Sequence, residues 1–191
     1  MSKKNRVSSR LSPEYVLLGF LYLVPSHGYE LHQRLLDVFG NIWHANQSQT
    51  YNILKRLEAQ GYISSTFIEQ GKLPPRQSLH ITESGSERFK TWLNKPTKSS
   101  VHAIRVEFVT RLYFMQQYYP QNTPEMIRVQ VEVVNAGLIQ LHENLSNIPD
   151  DQAFDRLALE LRINLLKSVI SWLNECLETF SPKKSIGVEG E

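Results

Sequence analysis

The chain has 191 residues, with 21 Lys plus Arg, 19 Asp plus Glu and 41% hydrophobic residues. That length suits one large domain or two small ones, and 10% aromatics with this apolar content argues against wholesale disorder. A single Cys excludes a disulfide framework or a multi-cysteine zinc site, and fits a reducing, cytoplasmic compartment.

The formal net charge of +2 conceals an uneven distribution. Residues 1–98 carry 13 basic and 7 acidic side chains, a charge of +6, whereas residues 99–191 carry 8 and 12, a charge of −4. A basic front half joined to an acidic back half suggests two jobs, one of them with a polyanion as candidate partner.

Lys3, Lys4, Arg6 and Arg10 precede an apolar run from Tyr15 to Val24, which superficially reads as a secretion signal. The run is far too short to span a bilayer, Glu14 charges its start, and no small-x-small cleavage site follows cleanly. Ser12-Pro13-Glu14 predicts instead a helix start, with Ser12 as N-cap and Pro13 at the first helical position. A buried first helix ending near Pro25, with no membrane partner, is the expectation.

Ser26-His27-Gly28 then predicts a turn. A second helix carries Tyr29, Leu31, Leu35, Leu36 and Phe39, with Gly40 as a left-handed stop. Asn46 and Gln49 form a capping box for a third helix that runs to Gln60 and is stopped by Gly61. Residues 62–69 and 76–81 read as two strands joined by a turn containing Pro74 and Pro75. Thr82 caps a fourth helix bearing Phe89, Trp92 and Leu93. This order predicts a winged helix-turn-helix at residues 12–94, preceded by a basic arm at 1–11 and followed by a polar connector at 95–102.

The back half, residues 103–180, reads as helical, with 181–191 as a disordered tail. Ile127, Val131, Val134, Leu138, Leu141, Leu145 and Ile148 recur in alternating steps of four and three, the spacing of a coiled-coil seam. A last long helix carries Phe154, Leu157, Leu161, Leu165, Val169, Trp172, Leu173, Cys176 and Leu177. The fold class is therefore mainly α with a small two-stranded β-wing, ending in a helical dimerisation domain. Ile127, Val131, Val134, Leu138, Leu141, Leu161, Leu165, Val169 and Trp172 are the expected pairing residues. An intramolecular core is the competing use of either helix alone.

If the third helix docks through Ile53, Leu54 and Leu57, its opposite face carries Ser48, Asn52, Lys55 and Ala59, with Tyr51 and Arg56 at the edges. Asn is suited to an adenine edge, and Lys or Arg to guanine or phosphate, in a major groove. Lys72 and Arg76 near the ribbon tip and Lys3, Lys4, Arg6 and Arg10 on the arm are candidates for the flanking backbone or minor groove. A solvated helix face and a charged hairpin are the plain alternative; the element order together with the positive excess favours double-stranded DNA.

The stretch Tyr15-Val16-Leu17-Leu18-Gly19 … Pro25-Ser26-His27-Gly28-Tyr29-Glu30-Leu31 resembles the opening of the PadR family of bacterial transcriptional regulators. So does the run from Ser48 to Ile63, followed by Arg76 and Ile81-Thr82-Glu83-Ser84-Gly85. The resemblance implies a homodimeric, usually repressing protein that binds a palindromic operator through two winged helices paired by C-terminal helices. It aligns Tyr51 and Lys55 with positions facing DNA and Arg76 with a wing cation, whereas Leu79-His80 departs from the family's aromatic–cation pair. Because some relatives bind small aromatic effectors, Trp172, Phe154 and Tyr113 are candidate ligand contacts, although aromatics at this spacing are more often core.

His27 and His32 lack a Cys or acidic pair at ligand spacing, and His44, His80, His102 and His142 are scattered. With no Gly-rich phosphate loop or nucleophile elbow, neither a catalytic site nor a metal or cofactor is expected. A winged-helix adaptor for another protein and a non-specific nucleic-acid binder remain the alternatives to a regulator.

Overall fold

A computed structural model describes residues 12–70 and 73–181, with side chains at all of these except 68–70 and 73–76. The chain divides into two compact units, Met1–Lys95 and Pro96–Glu191.

The first unit is built on α1 (Glu14–Leu23), in which Val16, Leu17, Leu18 and Phe20 are fully buried. Ser12 does not cap it. Pro13 stands at the N-cap without a side-chain hydrogen bond, its carbonyl accepting from the Val16 and Leu17 N–H groups. The helix ends where Val24 turns extended, as a residue preceding proline tends to do. α2 (Gly28–Phe39) opens with the Glu30 carboxylate accepting from the His27 N–H. Gly40 then departs from expectation: its φ of −57° is right-handed, not left-handed. Glycine is needed there because a Cβ would collide with the Leu36 carbonyl oxygen.

The Asn46–Gln49 capping box starts α3 (Gln47–Ala59). Gly61, at φ 74°, reverses the chain into the ribbon. β1 (Ile63–Gln70) pairs antiparallel with β2 (Leu73–Ile81), in register from Ile63↔Ile81 to Ile68↔Arg76, with an irregularity between Ile68 and Gln70. Pro74 and Pro75 lie inside β2 rather than in the turn. They fall at that irregularity, where two residues of β2 stand opposite one of β1 and the regular ladder is interrupted, a place where a strand accepts proline. α4 (Glu83–Leu93), capped by the Thr82 hydroxyl, packs Phe89 and Leu93 under α1, and Trp92 stacks on Tyr15 at 4.6 Å.

The second unit starts with α5 (Val101–Ala103), a π-type turn at Ile104–Phe108 and α6 (Val109–Tyr118), in a stretch the sequence reads simply as helical. Ile104, Val106 and Phe108 are all buried, so this stretch is covered on several sides and has no single 3.6-residue stripe. α7 (Thr123–Ser146) and α8 (Ala153–Phe180) form an antiparallel pair. Their shared core includes Ile127, Val134, Leu138 and Leu141 from α7, and Ile163, Leu166, Leu173 and Cys176 from α8.

Candidate nucleic-acid interface

α3 is held by its own sequence and by two polar ties. Ile53, Leu54 and Leu57 are buried, and Thr50, which the sequence reading passed over, is buried with them. The Thr50 hydroxyl lies 3.0 Å from Nδ1 of buried His32, linking α2 to α3. Thr50 precedes Leu54 by four residues and Leu57 by seven, so the helical period could have found it. The second tie is Glu14. Its carboxylate accepts from Arg56 at 2.8 Å and also from Arg88, so α1, α3 and α4 meet at one largely covered acid.

On the opposite face Ser48, Tyr51, Asn52, Lys55 and Ala59 are exposed. They form the polar strip predicted from the sequence, with one correction. Arg56 turns toward α1 and pairs with Glu14, an acid it shares with Arg88, so it is directed away from the strip and only partly neutralised.

Beside Lys55 a concavity of about 480 Å³ opens, lined by His27, Gly28, Tyr29, Tyr51 and Gln77 among others. Its shape comes from a tie between the start of α2 and the wing. Ser26 exchanges two backbone bonds with Leu79, and His27 Nδ1 lies 2.7 Å from the Gln77 carbonyl oxygen. Two acids line it and both are engaged: Glu30 accepts from the His27 N–H, and Glu58 accepts from the Ser65 hydroxyl at 2.6 Å.

On the wing, Phe67 is 71% exposed, a residue the sequence reading did not select. It shares strand parity with Ile63, which is buried, but sits where the ribbon outruns the core. His80, the departure from the family pattern, bonds across the ribbon to Thr66 at 2.9 Å. Arg76 is on β2 opposite Ile68, and its side chain lies outside the described residues. Lys72 and the arm cations Lys3, Lys4, Arg6 and Arg10 also lie outside them.

The second unit corrects the expected pairing surface. Ile127, Val134, Leu138 and Leu141 are buried inside the protomer against α8, so the heptad seam of α7 is an internal one. Val131, Val169 and Trp172 are partly buried against the same core. Leu161 and Leu165 remain exposed, together with Phe154 and Leu157, at 61, 44, 82 and 65% respectively. At about 100° per residue this stripe lies nearly opposite Ile163, so α8 is apolar on two faces.

The three candidate ligand aromatics do not converge. Phe154 and Trp172 are 18 positions apart on one helix, about 27 Å along its axis. Tyr113 instead meets Phe114 edge-on at 5.2 Å. Trp172 lies edge-on to Phe108 and lines an open, mainly apolar groove of about 460 Å³ with Val101, Ile104, Val109, Leu165 and Val169. Cys176 is buried, and that burial, with Glu175 nearby, pushes its thiol pKa up. Among the described residues no group of three or more His, Cys, Asp or Glu could hold a metal, and no helix is long and apolar enough to cross a membrane.

Three packed helices, the third docked by one face and polar on the other, followed by a two-stranded wing and a closing helix, define a winged helix-turn-helix protein. A helical second unit is attached to it. Residues 17–91 match the Transcriptional regulator PadR-like family, and residues 104–181 match the Virulence activator alpha C-term family. The first unit is thus similar to the PadR-like family of transcriptional regulators over residues 17–91. The chain is 26% identical over 175 residues, 86% of this chain and 94% of the relative, to the negative transcriptional regulator PadR of Bacillus subtilis. Among solved structures, Bacillus subtilis PadR in complex with operator DNA is 24% identical, with a TM-score of 0.41, covering 88% of this chain and 98% of that one. A PadR-like transcriptional regulator from Bacillus cereus is 21% identical, with a TM-score of 0.43, covering 92% and 99%.

Proposed function

We propose that this protein is a homodimeric repressor that binds a palindromic DNA operator, inserting α3 of each protomer into the major groove. The observation that carries the reading is the division of α3 into a docked apolar face and an exposed face of Ser48, Tyr51, Asn52 and Lys55. Asn52 and Lys55 are one turn apart on that face, the spacing at which two side chains can address adjacent base edges. Tyr51 and Ser48 supply hydroxyls for the flanking phosphates. The wing cations Lys72 and Arg76 and the arm of residues 1–11 are assigned to the DNA backbone and minor groove. The repressing role is supported by the name of the Bacillus subtilis relative, a negative regulator.

Dimerisation is assigned to the outer stripe of α8 rather than to α7. Phe154, Leu157, Leu161 and Leu165 present four large apolar side chains in steps of three and four residues, an arrangement costly to leave in water. A second copy of the same stripe is the partner it suits. A two-fold pair would hold two readers on half-sites about 34–36 Å apart. The acidic charge of the second half disfavours its approach to phosphate while the basic half binds.

The test is recovery of DNA fragments from the source genome by the full-length protein, with sedimentation of the free protein and of its complex. Enrichment of fragments sharing an inverted repeat, bound by two protomers, is the expected result. Fragments without a common sequence would favour a non-specific binder, and no DNA at physiological salt would favour a protein-interaction adaptor.

A further inference from the structure

The polar run after α4 reads in the sequence as a plain linker, yet one residue within it is anchored. Thr97 is 1% exposed between exposed Pro96 and Lys98. Its N–H donates to Gln130 Oε1 at 2.7 Å, and its carbonyl accepts from Gln130 Nε2 at 2.8 Å. Its hydroxyl accepts from Arg111 Nη1 at 2.8 Å, while Arg111 Nη2 donates to Glu107 at 2.6 Å. Gln130 and Arg111 are themselves almost fully buried, at 1% and 3% exposure. Two residues further on, Ser99 occupies the notch left by Gly137 on α7, where an added Cβ would come within 2.7 Å of the Ser99 Cβ. Ser100 then caps α5 through the Ala103 N–H.

Burying a Gln amide on α7 is costly unless both of its polar atoms are satisfied, and here one backbone residue satisfies both. A leucine would fill the space equally well if packing were the only requirement. The amide instead grips the connector. Three residues, Asn94, Lys95 and Pro96, separate Leu93 at the end of α4 from Thr97, four steps of chain that span at most about 14 Å.

We propose that Gln130 is a positioning residue that latches Thr97 onto the helical unit, fixing the point from which each reader is tethered and so making the dimer selective for half-site spacing. The proposal rests on the dimeric, DNA-binding reading given above. Where the tether point is fixed, an operator with the wrong spacing cannot engage both readers without strain. Where it is loose, the readers adjust and the second binding event becomes tolerant of distance.

The experiment compares full-length wild type with Gln130→Leu and Gly137→Ala. Gly137→Ala dislodges Ser99 while placing a better helix former in α7, so it stays informative if Gln130→Leu does not fold. Trypsin cleavage after Lys98 reads the latch without DNA. Anisotropy on operators lengthened or shortened by one or two base pairs reads spacing, and an isolated half-site reads the reader alone. Both variants are expected to cleave at least about tenfold faster after Lys98 than wild type. Wild type is expected to prefer one spacing by at least about tenfold, and the variants by less than about threefold, with half-site affinity unchanged. Unchanged cleavage, or a released connector with wild-type spacing preference, would overturn the proposal. So would a wild type that binds its operator specifically but ignores spacing. A wild type that binds no DNA would overturn the dimeric-reader function itself, while the cleavage rates still report whether Gln130 holds the connector.

Discussion

Lys55 and Arg56 are adjacent in sequence, but about 100° of helix rotation gives them different surroundings. Lys55 stays on the exposed face beside Tyr51, whereas Arg56 closes on Glu14. Replacing Asn52 or Lys55 by alanine is therefore expected to lower operator affinity by about 1–3 kcal/mol and to relax preference at one base position. Arg56→Ala is expected to change operator affinity by less than about threefold and stability by under about 1 kcal/mol, since its pair is half-exposed. Anisotropy titrations on single-base operator variants, beside thermal melts, distinguish the two outcomes. An Arg56→Ala protein with normal stability and a large, base-specific loss of affinity would reverse the assignment. Cys176 gives a separate prediction at this scale. With its thiol buried and its pKa raised, it should react with Ellman's reagent at pH 7.5 far more slowly in the native than in the urea-unfolded protein. Equal rates in the two states would mean the thiol is accessible.

At the scale of elements, α8 has two apolar faces with different fates. Leu166 belongs to the core shared with α7, and Leu166→Ala is expected to cost about 2–5 kcal/mol of stability. Leu157→Glu with Leu161→Glu alters only the outer stripe, and is expected to leave each protomer folded while halving the sedimenting mass. A folded dimer carrying both glutamates would place the interface elsewhere.

The same helices show what was legible from sequence and what was not. The Asn46–Gln49 capping box and the Glu30 bond to the His27 N–H are local, so a few residues suffice to specify them. The heptad spacing of α7 was equally visible, but a seam carries no mark of whether its partner is the next helix or another chain. The prolines of β2 read as a turn because turn chemistry is more common than a proline at an irregularity within a ribbon. Gly40 was misread because glycine serves close approach as well as left-handed backbone. The Thr97–Gln130 grip joins residues 33 apart through a backbone pairing, which no periodicity encodes.

Over the whole molecule, the net charge of +2 masks a front half at +6 and a back half at −4. That polarity suits a protein whose first half meets phosphate and whose second half meets a copy of itself. It also makes salt a sharp probe, because each phosphate contact made releases counterions and steepens the fall of affinity with ionic strength. Removing Lys3 and Lys4 together should weaken all sequences alike and flatten that dependence; a loss confined to the operator would contradict the arm's assignment to the backbone. The central claim, specific reading of DNA by paired α3 helices, is tested most directly by fluorescence anisotropy of the full-length protein. The comparison is its selected operator against a scrambled duplex over a series of salt concentrations. The account predicts that the operator is bound at least about a thousandfold more tightly near physiological salt. Equal affinity for the two duplexes, or no binding to either, would contradict it.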